Sequence, residues 1–139
     1  MAWRCTEEEG TQARRVTFTF DTGMLIALER RKRRATEAFR AIVQHGYLPT
    51  VPAVVYVEWW RGRSTIREEI LAAVLVEDMR PSLCRAAGEA LGAVKGSTLA
   101  DAVVMASAAL RGGGVVYTSD VEDLTRLQRH FSTVNVLRV

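Results

Sequence analysis

Val16-Thr17-Phe18-Thr19-Phe20-Asp21 is the stretch that decides the fold. Five β-branched and aromatic residues in succession read as a strand. An acid follows at once, and Thr22 to Arg34 then carries Met24, Leu25 and Leu28 on one helical face. A strand feeding straight into a helix is the opening of an α/β unit, and the rest of the chain continues it. Thr36 to His45 reads as a second helix closed by Gly46, and Tyr47 to Thr50 as a short strand. Pro52 suits the first turn of a helix running to about Arg61. Ile66 to Ala73 reads as a helix, Val74 to Asp78 as a strand, and Pro81 opens a helix to about Val94. Leu99 to Leu110 is apolar at nearly every position, the mark of a helix buried on most sides. Gly112-Gly113-Gly114 is a turn into a Val115 to Thr118 strand; Asp120 to His130 is a helix, and Val134 to Leu137 a closing strand. Strands alternating with helices predict one α/β domain with a short, mostly parallel central sheet flanked by helices on both faces.

Composition agrees with a single domain. The chain has 139 residues, 48% hydrophobic and 25% charged, enough for one core. Met1 to Arg15 is polar and aperiodic, which predicts a disordered extension before a domain spanning residues 16–139. Its glutamates and its lack of an apolar segment exclude a signal peptide. No apolar run reaches the roughly 18 residues of a membrane span, so the expected location is the cytoplasm. Cys5 and Cys84 are too few and too far apart for a zinc site or a disulfide framework. The net charge of +3 is mildly basic and names no partner by itself.

The acids carry the chemistry. Taken singly, each has a structural explanation: Asp21 caps the helix at Thr22, Asp101 sits three residues after Thr98 as in a capping box, and Asp120 and Asp123 open the last helix. Glu58 fits this scheme less well. It lies inside its helix between Val57 and Trp59, where a carboxylate on an inward face would be costly without a partner. Asp101 is the only charge in an otherwise apolar helix. Asp21 and Asp120 each follow a strand, and ligands of open parallel sheets bind beyond the carboxyl ends of strands. Four carboxylates gathered there repel one another unless a cation joins them. Oxygen ligands without His or Cys select a hard ion, Mg²⁺ with Mn²⁺ as substitute. Such an ion activates water and neutralises phosphodiester charge. Thr118 and Ser119 stand beside Asp120 to hydrogen-bond a ligand carboxylate or a metal-bound water.

Phe20-Asp21-Thr22, Glu58 within Val-Glu-Trp-Trp-Arg-Gly, Leu-Ala-Asp101-Ala-Val-Val-Met-Ala and Tyr-Thr-Ser-Asp120-Val-Glu-Asp-Leu resemble, in order, the four acidic motifs of PIN domains. The resemblance runs from about residue 16 to the end, and the compact length is most similar to VapC toxins of VapBC toxin–antitoxin modules. It implies a PIN-like fold and a Mg²⁺-dependent endoribonuclease. It further implies a homodimer held inactive by a cognate antitoxin whose tail fills the active-site groove. Asp21, Glu58 and Asp101 match the three strongest positions and Asp120 the fourth, with Asp123 near enough to be an alternate ligand. The family often has Asn or Ser two residues after the first acid; here that position is Gly23.

Arg61, Arg63 and Arg67 follow the Glu58 helix and are the expected contacts for RNA phosphates or for acidic antitoxin residues. The Arg30 to Arg34 run reads first as a solvated helix end. Trp59 and Trp60 are adjacent on one helix, so one faces the core and the other is a candidate contact for a partner. His45 and His130 read as surface residues at helix ends, and Cys84 as a small core residue. Asp21-Thr22-Gly23 lacks the second Asp of a haloacid-dehalogenase phosphotransferase, and no Lys follows Tyr117 closely as a receiver domain would require. Neither a Walker loop nor a nucleophile elbow is present. The alternative of another class is a PIN-shaped module that binds RNA or protein without cutting it.

Overall fold

A computed structural model describes residues 16–139; the expected loose extension over residues 1–15 lies outside them. The elements in chain order are β1 (Phe18–Phe20), α1 (Thr22–Glu29), α2 (Arg33–Gln44), β2 (Thr50–Pro52), α3 (Ala53–Trp59), α4 (Thr65–Ala72), β3 (Leu75–Glu77), α5 (Pro81–Ala93), α6 (Leu99–Leu110), β4 (Gly114–Thr118), α7 (Val121–Gln128) and β5 (Val134–Arg138). The strands form one sheet in the order β3-β2-β1-β4-β5. Every pairing is parallel.

The chain starts in the middle of the sheet, winds outward to β3, and returns through α5 and α6 to the other side of β1. The direction of winding therefore reverses between β1 and β4, and in open α/β sheets ligands bind at that reversal, beyond the carboxyl ends of the strands. Consecutive residues of a strand face opposite sides. Thr19 and Phe20 are both fully buried, so helices cover both faces of the centre. α6 is the principal cover, packing against β1, β2, β4 and β5 with α5 and α7 beside it. Its residues Ala102 to Ala108 are all buried, in agreement with its apolar sequence.

Several boundaries depart from the sequence reading by two residues or more, and two of them have a local reason. α1 ends at Glu29, not Arg34, because Arg31 takes a left-handed conformation at φ 56°. That geometry is uncommon outside glycine and stops a helix. The basic run is thus divided: Arg30, Arg31 and Lys32 form the tight turn between α1 and α2, and Arg33 and Arg34 open α2. The second departure is β2, which is Thr50–Pro52 and not Tyr47 to Thr50. β1 pairs with β2 only at Thr19↔Thr50, so Pro52 at the strand end leaves no ladder bond to β1 unmade.

A buried ion cluster ties α6 to the sheet edge. Glu77, the last residue of β3, is 8% exposed. It accepts a hydrogen bond from the Ser107 hydroxyl at 2.6 Å, pairs with Arg111 at 3.0 Å, and pairs with Arg80. Burial pushes its carboxyl upward, but the Ser107 bond and the two arginines outweigh that and hold it below the usual range.

Candidate active site

Asp21 follows β1 directly and its backbone N–H donates to the Tyr117 carbonyl at 3.4 Å, which continues the β1–β4 ladder by one residue. The side chain caps α1: Oδ1 accepts from the Met24 N–H at 2.8 Å. The capping role and a ligand role coexist here, since one carboxylate has two oxygens. Only 8% of the residue is exposed, and burial pushes its carboxyl up to about 6 against the bonds from Thr118 and Met24. The charges of Asp101 and Asp120 push in the same direction as burial.

Asp101 stands in the first turn of α6, where the Thr98 hydroxyl caps the helix by accepting its N–H at 3.2 Å. Its carboxyl is also raised, first by burial, against a bond from Thr98, and then by the charges of Asp123, Glu58 and Asp120. Asp101 is thus the common neighbour of the acids at the β1–β4 reversal: it and Asp120 bear on Asp21, and Glu58, Asp120 and Asp123 bear on it. Thr118 links two of them. Its hydroxyl accepts the Asp120 N–H at 2.9 Å and lies near enough to the Asp21 carboxyl to favour its ionised form. Asp120 precedes α7, is exposed, and makes no capping bond through its side chain. Asp123 is engaged by Arg126 at 3.1 Å.

Glu58 corrects the sequence argument. It is exposed, as is its neighbour Val57 at 74%, so its face of α3 points outward and burial cost says nothing about its role. Its Oε1 accepts from the Thr22 hydroxyl at 2.7 Å, which holds it on the rim beside the start of α1. Gly23 has a local reason as well. A Cβ there would collide with the Ser119 hydroxyl, so Ser119 puts its polar group where a side chain at position 23 would lie.

The donor set is all oxygen and the charged neighbours acting on Asp21 and Asp101 are all acids, which suits a hard divalent cation. Among the described residues, no three acidic, histidine or cysteine side chains stand close enough as placed to ligate one ion.

Beside this edge runs a cleft of about 190 Å³ lined by Ile26, Glu29, Glu58, Trp59, Arg61 and Arg67. Trp59 is the inward tryptophan, and its indole N–H donates to Glu29 at 2.9 Å. Arg67 reaches the other Glu29 oxygen at 2.7 Å and the Gly62 carbonyl at 2.9 Å, so it braces α1 against the loop after α3. The Arg67 bond, against the effect of burial, and then the Trp59 bond hold the Glu29 carboxyl below its ordinary range. The sequence reading missed Glu29; the signal was that a buried indole N–H needs an acceptor. Arg61 and Arg63 are exposed, the first bonding the Trp60 carbonyl at 2.7 Å and the second 3.7 Å from Glu68. Trp60 is half-buried against Tyr56. His45 and His130 are exposed at helix ends, as expected, whereas Cys84 is exposed and not in the core, because it falls on the outer face of α5.

The family model of the PIN domain matches residues 18–129. This chain belongs to the PIN-domain family. No curated protein matches the sequence of this PIN domain. Among solved structures it is similar to a toxin–antitoxin complex from Klebsiella pneumoniae, at TM-score 0.65 and 17% identity over 85% of this chain and 95% of the other. It is also similar to VapBC2 from Rickettsia felis bound to a DNA fragment from their promoter, at TM-score 0.70 and 8% identity over 89% and 99%. DNA-bound VapBC from Salmonella typhimurium gives 0.65 and 15% over 89% and 98%. At such identities the likeness is one of fold. No helix among the described residues is long and apolar enough to cross a membrane.

Proposed function

We propose that this PIN domain is a Mg²⁺-dependent endoribonuclease acting as the toxin of a type II toxin–antitoxin module. The observation that carries the reading is the burial of Asp21 at the β1–β4 reversal, its carboxyl raised to about 6, with Asp101 and Asp120 bearing on it. A protein stabilised for its own sake has little reason to maintain that cost. Asp21, Glu58, Asp101 and Asp120 are the proposed ligands. Asp120 is preferred over Asp123, because Arg126 already engages Asp123 while Asp120 acts on both buried acids. A bound Mg²⁺, or Mn²⁺ in its place, would supply an activated water and neutralise the phosphodiester. The exposed carboxylates of Asp120 and Glu58 would orient that water, while Thr118 fixes Asp21 and Ser119 offers a polar contact beside it. The toxin assignment draws on the solved complexes, whose PIN-like chains are spanned almost end to end by this one. By that likeness its partner is a cognate antitoxin, and the resemblance to VapC toxins adds a second copy of itself. The exposed Arg61 and Arg63 are better disposed to meet RNA or antitoxin than Arg67, which is committed to Glu29.

Total cellular RNA incubated with the protein and Mg²⁺ should acquire new ends that chelator prevents. Asp101→Asn should cut at least roughly 100-fold more slowly while remaining folded, the scale of losing one positioned catalytic group. Equal cutting with chelator, or by the variant, sinks the mechanism. The open spacing of the acids keeps one other reading in view, a module that retains RNA without cutting it; RNA bound but intact in Mg²⁺ would establish that one.

A further inference from the structure

A cleft of about 750 Å³ lies beside the acidic edge and is separate from it. One wall is the end of α5 and the connection to α6, with Val94 and Lys95; the other is α7, with Glu122, Arg126, Arg129 and His130. Positions 122, 126 and 129 fall at i, i+4 and i+7, a single stripe of α7. Gly96, at φ 83°, turns the connection back so that Lys95 faces that stripe; a Cβ at Gly96 would lie 3.0 Å from the Arg126 guanidinium. The volume is in the range of pockets that take nucleotide-sized ligands.

The stripe has a direction. At its start stand Glu122 and Asp123, and Asp123 bears on Asp101 in the active site. Arg126 spans the change of sign, one nitrogen on Asp123 and the other against Gly96. Beyond it Lys95 and Arg129 form no ion pair with any described residue. Cations at the end of a helix are often explained by its dipole. The α7 dipole favours Arg126 and Arg129 and the α5 dipole favours Lys95, which follows the α5 cap Val94; neither accounts for the ends of two separate helices turning their cations onto one cleft. We infer that this cleft holds the sugar–phosphate backbone of single-stranded RNA on one side of the scissile bond, with Lys95 and Arg129 on consecutive phosphates. The inference rests on the RNA-nuclease reading and extends it to a second binding surface.

Binding of a labelled single-stranded RNA to the full chain carrying Asp101→Asn, followed against salt, tests this. Each phosphate contact on a single strand contributes about 0.7 to the slope of log K against log salt. Adding Lys95→Ala and Arg129→Ala together should lower that slope by about 1.4 and weaken binding roughly 10-fold at moderate salt. Arg85→Ala, an exposed arginine of α5 outside the cleft, should leave the slope unchanged and controls for net charge. If the parent protein cuts RNA yet the double variant keeps the full slope, the cleft assignment fails and the nuclease reading stands. If the parent neither cuts nor binds RNA, both fail. A double variant with normal RNA binding that no longer retains a co-expressed partner protein would make the cleft a protein-docking face and overturn the inference.

Discussion

Replacing Asp21 with Asn is expected to raise the melting temperature of the metal-free protein at neutral pH while ending cleavage. Asn keeps the cap, because its side-chain oxygen accepts from the Met24 N–H as the carboxylate does. What it removes is a charge that the fold holds out of water. The folded carboxyl stands at about 6 against an ordinary 3.8. A raised folded value means the ionised group destabilises. The penalty is absent below 3.8, grows as pH rises from there to about 6, and is complete above. At about 1.4 kcal/mol per pKa unit it amounts to roughly 2–3 kcal/mol at neutral pH. For a domain of this size the gain corresponds to roughly 6–9 °C. Below about pH 4 the two proteins should melt together. Added Mg²⁺ should stabilise the parent by mass action and the variant far less. Thermal melts across pH, with and without Mg²⁺, read all of this. A lower melting temperature for the variant at neutral pH would mean that the charge serves the cap and not a ligand site.

Asp21 shows how far local sequence could carry the reading. A strand of alternating Thr and Phe ends in an acid, and the acid must then stand at the carboxyl edge of the sheet; nothing distant was needed. Asp120 and Asp101 were legible for the same reason, each being fixed by the start of the helix it opens. Glu58 was placed correctly in its helix but on the wrong side, because Val57 and Trp59 flanked it and only Trp59 is buried. An exposed apolar residue makes a helical face look inward when it is not. The end of α1 was misjudged because Arg31 adopts a conformation that side-chain propensity argues against. Glu29 and Glu77 were invisible, and the commitment of Arg67 to Glu29 with them, for a different reason. Their partners lie 30 or more residues away, at Trp59, at Glu29 and at Ser107, and such pairings exist only once the sheet order is fixed.

Glu77 gives the largest loss expected from a single substitution outside the acidic edge. Glu77→Ala should destabilise the protein by about 3–5 kcal/mol, the cost of removing one partner from a buried pair. The loss is large because of what stays behind: Ser107 is fully buried and loses its acceptor, and Arg111, mostly buried, keeps a charge that nothing compensates. Arg80 contributes little, since its side chain is 43% exposed and solvent screens it. Glu77→Gln separates the terms. It can still accept from Ser107, so it should recover part of the loss while leaving both arginines without a counter-charge. The pH dependence has the opposite sign to that of Asp21. Glu77 is held below its ordinary 4.5, so its stabilisation is present above that value and is lost as pH falls toward the folded one. In urea melts at falling pH the gap between parent and Glu77→Gln should therefore be full above 4.5 and narrow as pH drops below it. A Glu77→Ala protein as stable as the parent at neutral pH would show that the cluster only offsets its own desolvation. Because Ser107 and Arg111 sit on and just beyond α6, whose first turn bears Asp101, loss of this anchor should also weaken any Mg²⁺-induced rise in melting temperature. A site built at one end of a helix depends on what holds the other end.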